Sequence, residues 1–211
     1  MNVHTGAVTH VDRVSSADRY GGTSGNEVLT SATAVVLTLL LAAEGITILR
    51  MGGLRDVHMF VGLVLIPPVL LKLASTGYRM VRYYSGARAY CEKGPPALPL
   101  RLLAPVLVLA TIDVFASGVW LLVLGHRSDT ALQLHKVGFI VWGVVFVIHF
   151  LVHIPRVLRS LREDWSAARR ARVPGTGLRA MLLAASVGGG LALALAVLGA
   201  ITGWHGGPRF G

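Results

Sequence analysis

Two apolar stretches of this chain carry nitrogen bases at the same interval. In one, His135 is followed 14 residues later by His149 and 18 residues later by His153; in the other, His58 is followed 14 residues later by Lys72. An α-helix turns about 100° and rises about 1.5 Å per residue, so 14 residues bring a side chain back to within about 40° of its face, about 21 Å along the axis. His153 returns to nearly the same face as His135. Neutral imidazole is a good axial ligand for haem iron. Two such ligands leave the iron suited to electron transfer rather than to oxygen binding. His58 and His135 each stand near the start of their stretch. If both stretches cross in the same direction, the two side chains lie at a similar depth and could clamp one iron from both sides.

The elements that must position them are membrane helices. Of the 211 residues, 54% are hydrophobic and 14% charged, with a mean hydropathy of +0.64. That balance belongs to an integral membrane protein. A spanning helix needs about 20 mainly apolar residues. Five stretches qualify, at about 28–49, 57–77, 102–124, 134–158 and 178–201. Alternating short strands of the outer-membrane barrel type are absent. The expected fold is all-α, a five-helix transmembrane bundle, with a loose cytoplasmic tail over 1–27 and a short outer tail over 206–211.

The net charge of +10 is placed by topology rather than by nucleic acid. Arg79, Arg82, Arg88, Lys93 and Arg101 flank the link between the second and third spans. Arg156, Arg159, Arg162, Arg169, Arg170, Arg172 and Arg179 crowd the link between the fourth and fifth. The opposite side carries only Arg50, Arg55, Arg127, Lys136 and Arg209. Positive loops stay in the cytoplasm, which predicts a bacterial inner-membrane protein with its N-terminus inside and its C-terminus outside. The basic links also suit anionic lipid. Residues 1–27 lack the basic start and short apolar core of a signal peptide, so the first span reads as a permanent anchor. Cys91, the single cysteine, allows no internal disulfide and no thiolate cluster.

Within the spans, Glu44 and Asp113 are costly in lipid, by about 2.5–3.5 kcal/mol on insertion scales. They are expected to face the bundle interior, as hydrogen-bond acceptors or as proton relays to a quinone. Pro67-Pro68 removes two backbone donors and predicts a kink that could open room for a cofactor. Gly188, Gly190, Ala192, Ala194, Ala196, Gly199 and Ala200 predict close approach of the fifth span to a neighbour. Trp204 suits an interfacial anchor. Met59, Phe60, Phe139, Trp142 and Phe146 suit the walls of a macrocycle, or ordinary packing. His4, His10, His126 and His205 fall outside the spans and read as solvated.

The paired spacing resembles the membrane-haem plan of cytochrome b, shared by bc1-type and ferric-reductase-like families. There, histidines 13 or 14 residues apart on two helices hold stacked haems. The stretch from His58 to Pro105, including "PPVLLKLASTGYRMVRYY", also resembles actinobacterial cytochrome b-like membrane proteins, some joined to molybdopterin oxidoreductase domains that this chain lacks. Together the resemblances cover about residues 30–160. They imply haem b, one copy or two, bound by His58, His135, His149, His153 and Lys72, with His58, His135 and His149 on iron.

The departure is Lys72, where the plan has histidine. Three readings stand side by side. His58 and His135 hold a single haem; or a second haem lies between His149 or His153 and a neutral Lys72 amine; or Lys72 serves a haem propionate, a quinone or Asp113. Zinc fits poorly. His149 and His153 are four apart, but Phe150-Leu151-Val152 replaces the glutamate of a metalloprotease helix, and no further ligand stands nearby in sequence.

No nucleotide, flavin or triad motif is present in the sequence. The expected function is electron transfer through haem in the membrane, between quinone and a partner oxidoreductase. That describes an electron-transfer or anchor subunit rather than a self-contained enzyme. The alternative is a haem-free polytopic protein, a small transporter or assembly partner, in which Glu44, Lys72 and Asp113 line a polar path.

Overall fold

A computed structural model describes residues 22–94, 98–164 and 173–204. Seven helices account for nearly all of them: α1 Gly22–Leu49, α2 Met51–Tyr84, α3 Arg88–Cys91, α4 Leu98–Leu124, α5 Asp129–Asp164, α6 Thr176–Ala196 and α7 Leu198–Thr202. Five of these, α1, α2, α4, α5 and α6, are long and apolar enough to cross a membrane. The chain is a polytopic, all-α membrane protein.

The helices run further than hydropathy alone marks. Helix α1 begins at Gly22, inside the stretch expected as tail, and α2 begins at Met51, absorbing most of the expected outer link. Helix α5 starts at Asp129 and continues to Asp164. Hydropathy reports only the part of a helix that lies in hydrocarbon; backbone hydrogen bonding carries it on through the headgroup zone. Part of the basic link between the fourth and fifth spans, 165–172, lies outside the described residues, as do His4, His10 and His205.

Two units result. Helices α1 and α2 form a hairpin turned at Arg50, and α6 packs along the other side of α2. Helices α4 and α5 form a second hairpin. Gly125 supplies its turn: with φ +69 it adopts the left-handed conformation that closes α4, its N–H donating to the Leu122 carbonyl at 3.1 Å. Ser128 and Asp129 then open α5, an acid in the first turn complementing the helix dipole. The backbones of α2 and α5, which carry the histidines, make almost no close approach. The units share an apolar core in which Leu122 of α4 and Ile201 of α7 join Leu63 and Val64 of α2 and Ala194 of α6, and α1 approaches α5 and α2 approaches α4.

The proline pair does not break α2. Helical dihedrals run through Pro67 and Pro68, and the one departure inside the helix is at Leu54. The pair has a different consequence from the expected cofactor kink. Pro68 has no N–H, so the Val64 carbonyl four residues earlier loses its helical donor. Gly190 of α6 sits directly on that carbonyl, so close that a Cβ there would collide with Val64 backbone. Neighbouring helices commonly accommodate a freed backbone group in this way. Ser186, Gly190 and Ala194, each four residues on from the last, are the buried small face of α6. The contact stripe is narrower than the sequence suggests. Gly188 and Gly199 face open space, and Ala192, Ala196 and Ala200 are exposed.

Gly190→Val should therefore push α6 off α2, a backbone collision in the range of about 1–3 kcal/mol for overpacking. Gly188→Ala should be neutral. Thermal unfolding of the two variants in detergent, read against the native protein, checks the contrast.

Candidate functional site

Between the two units lies a cleft of about 2490 Å³. This exceeds the roughly 300–1,000 Å³ of an ordinary small-molecule pocket. His58, Lys72, His135, His149 and His153 all line it.

At one end His58 and His135 meet. Their ring centroids are 6.1 Å apart and their planes are nearly perpendicular, at 83°. Each ring is tied back to its own unit through Nδ1. His58 Nδ1 lies 2.9 Å from Glu44 Oε1 and 3.1 Å from Thr47 Oγ1, both on α1. Thr47 is itself fixed, its hydroxyl donating to the Glu44 carbonyl at 2.6 Å. His135 Nδ1 lies 3.0 Å from the Val114 carbonyl and 3.1 Å from Ser117 Oγ, both on α4. Ser117 donates to the Asp113 carbonyl at 2.6 Å. An ionised carboxylate and a backbone carbonyl only accept hydrogen bonds. With Glu44 ionised and the rings neutral, Nδ1 is the protonated atom of each ring and Nε2 keeps a free lone pair. A ring nitrogen hydrogen-bonded to carboxylate or carbonyl, with its opposite nitrogen left bare, is the usual state of a metal-ligating histidine.

A glycine makes the His135 contact possible. A Cβ on Gly118 would stand 3.2 Å from His135 Cε1, tighter than ordinary contact, whereas one on Gly62 would meet the Glu44 carboxylate only at an ordinary 3.5 Å. Gly138 plays the same part for Asp113, whose carboxylate rests where a Cβ would lie. Asp113 is thereby seated between α4 and α5, and it does not line the cleft.

About 21 Å further along α2 and α5 by helical rise, the paired positions hold Lys72 and His149. Lys72 does not reach Asp113. Its ammonium donates to the Thr30 carbonyl of α1 at 2.8 Å, beside a bond from Thr30 Oγ1 to Ser75 Oγ and one from Asn26 to the Ser75 carbonyl. His149 stacks on His153, with centroids 4.2 Å apart, and the His149 carbonyl receives His153 Nδ1 at 2.8 Å. Between the two ends, Phe139, Trp142, Phe146 and Phe150 form a continuous stack along the cleft face of α5, with centroid spacings of 6.1, 4.6 and 5.6 Å. Trp142 is held by donating to Thr111 Oγ1 at 3.1 Å.

The residues that sequence reasoning missed as site members are Glu44 in its role on His58, Thr47, Val114 and Ser117. One signal was available. Glu44 stands six residues before the turn at Arg50 and His58 eight after it, which puts them at one level of a hairpin. Trp204 also does more than anchor. Its indole donates to the Leu121 carbonyl of α4 at 2.8 Å, and the Arg55 guanidinium of α2 lies 4.9 Å over its ring. It straps the two units together at the His58–His135 end.

No family model, curated protein or solved structure matches the chain. The cytochrome b resemblance therefore rests on residue spacing, and the comparisons add no family to the five-span membrane fold.

Trp204→Ala removes a hydrogen bond worth about 0.5–1.5 kcal/mol and a cation–π contact worth about 0.5–1 kcal/mol. Its thermal midpoint should fall by several degrees. Trp120→Ala, at a side chain 44% exposed on the outer face of α4, should leave it unchanged.

Proposed function

We propose that this protein is a membrane-embedded b-type cytochrome subunit, with one haem b held between α2 and α5 by His58 and His135. The observation that carries the proposal is the facing pair itself: two imidazoles from separate units, 6.1 Å apart, each with Nδ1 bound to an acceptor on its own hairpin.

Three features fit the group. Imidazole nitrogen bonds a metal at about 2.0–2.1 Å, and rings with centroids 6.1 Å apart would both be within reach of one ion. The donor set is two imidazoles, and no cluster of three or more His, Cys, Asp or Glu occurs among the described residues. Zinc needs about four protein or water ligands; an iron whose equatorial positions belong to a porphyrin needs two. The cleft is large, and its walls are apolar and aromatic. Held by His58 and His135, a haem would supply one-electron transfer.

The chain's own residues set the terms of that transfer. Glu44 fixes the His58 tautomer and draws its Nδ1 proton, which makes Nε2 more basic. A more basic ligand favours ferric iron and lowers the reduction potential. The Val114 carbonyl does the same for His135 more weakly, being uncharged. A haem-free polar path gains less from the geometry. The Glu44 carboxylate is engaged by His58 and the Lys72 ammonium by Thr30, while Asp113 lies outside the cleft.

The purified protein should be coloured and should show a b-type α-band in its reduced-minus-oxidised spectrum; a colourless, spectrally silent protein expressed with haem available would end the proposal. His58→Ala and His135→Ala should each abolish the band, whereas His149→Ala should keep it. Glu44→Gln should retain haem but raise its midpoint potential by about 60 mV, a tenfold change in a one-electron equilibrium. Redox titration followed by absorbance measures it.

A further inference from the structure

We infer that in the haem-free chain His58 and His135 form a two-coordinate site for a monovalent copper ion. The inference shares its two ligands with the haem reading and needs no haem.

The donor pair comes first. Two imidazoles from separate hairpins stand with ring centroids 6.1 Å apart, within reach of one ion. Each is tied back through Nδ1, His58 to Glu44 at 2.9 Å and His135 to the Val114 carbonyl at 3.0 Å, which leaves Nε2 as the ligating atom. The number of donors then selects the ion. No group of three or more His, Cys, Asp or Glu is placed to hold a metal among the described residues. Zinc and divalent copper complete their shells with about four ligands. Cu(I), a filled-shell ion, is satisfied by two donors in a line, and imidazole suits copper. The 83° between the ring planes is no obstacle, because linear coordination leaves each ring free to turn about its own bond. Charge fits as well. A single positive charge on Nε2 lies across one imidazole from the Glu44 carboxylate, which balances it where hydrocarbon supplies no counter-ion.

The other histidine pair lacks this geometry. His149 and His153 lie on one helix, 20° from parallel, with centroids 4.2 Å apart. Stacked rings aim their nitrogen lone pairs side by side rather than at a common point between them. His149 Nδ1 also has no acceptor behind it among the described residues. Copper at His58 and His135 takes the two nitrogens that a haem would use, so a chain holding one cannot hold the other there.

The probe is Cu(I) itself, kept reduced with ascorbate under argon. It is offered in competition with bicinchoninate to the full chain, purified in detergent from haem-deficient cells and without a polyhistidine tag. The chain should draw one Cu(I) per polypeptide from the chelator. X-ray absorption at the copper edge should show two nitrogen neighbours and the intense pre-edge feature of linear Cu(I). Because it is recorded on the unaltered protein, it keeps the test decisive if a variant fails to fold. His58→Ala and His135→Ala should each abolish binding, and His149→Ala should leave it unchanged. Glu44→Gln should weaken it about tenfold, the usual cost of losing the partner behind a ligand. Failure to draw Cu(I) from bicinchoninate, copper with three or four neighbours, or unchanged binding in both His58→Ala and His135→Ala would overturn the site. Haemin separates the two readings. Uptake of haem with copper retained at full occupancy would overturn the copper site alone. A chain that binds Cu(I) through His58 and His135 but takes up no haem, with or without copper, would sink the haem reading and leave this one standing.

Discussion

The rest of the architecture depends on two imidazoles facing each other while each is held from behind. A histidine in a bilayer must satisfy its ring N–H, because hydrocarbon offers no acceptor. Here each ring finds its acceptor on the helix to which it is joined by a hairpin: Glu44 for His58, Val114 for His135. Each hairpin is thus a complete holder for one histidine. The backbones of α2 and α5 themselves stay apart, so the cleft between them can be wide.

Helix α6 has no histidine and no charged group in its buried face, yet the site depends on it. It stiffens α2 from behind at the point where two prolines have weakened the helix. Pro68 strips the Val64 carbonyl of its donor, and Gly190 lets another backbone rest on it. Without a side chain to intervene, the two helices approach closely over Ser186, Gly190 and Ala194. Close packing of this kind drives helix association in lipid, where burying apolar area gains little. It leaves the large apolar residues free to face outward, and Leu39, Leu70, Val123 and Leu151 are all exposed.

Much of this was legible in the chain. Five apolar stretches mark the spans, and helical arithmetic places His58 with His135 and Lys72 with His149. The arithmetic works because both helices begin near their histidine and run through without a break. What was not legible depends on how helices pair. Glu44 is intelligible only once the hairpin turn is known to fall at Arg50. The Val114 carbonyl is a backbone atom and leaves no mark in a sequence. The proline pair reads as a kink because proline usually makes one; that α6 would sit on the freed carbonyl depends on a contact 126 residues away, between Val64 and Gly190. The small-residue stripe was seen too broadly because composition does not say which side of α6 faces in.

The strap at Trp204 carries a consequence for biogenesis. Ribosomes deliver His58, His135 and the hairpins that support them well before residue 204 leaves the exit tunnel. Throughout that interval the two halves have no bridge through the indole, and the cleft between them is held less tightly. Once Trp204 reaches Leu121 and Arg55 the halves are latched, and any later widening of the cleft must first loosen that latch.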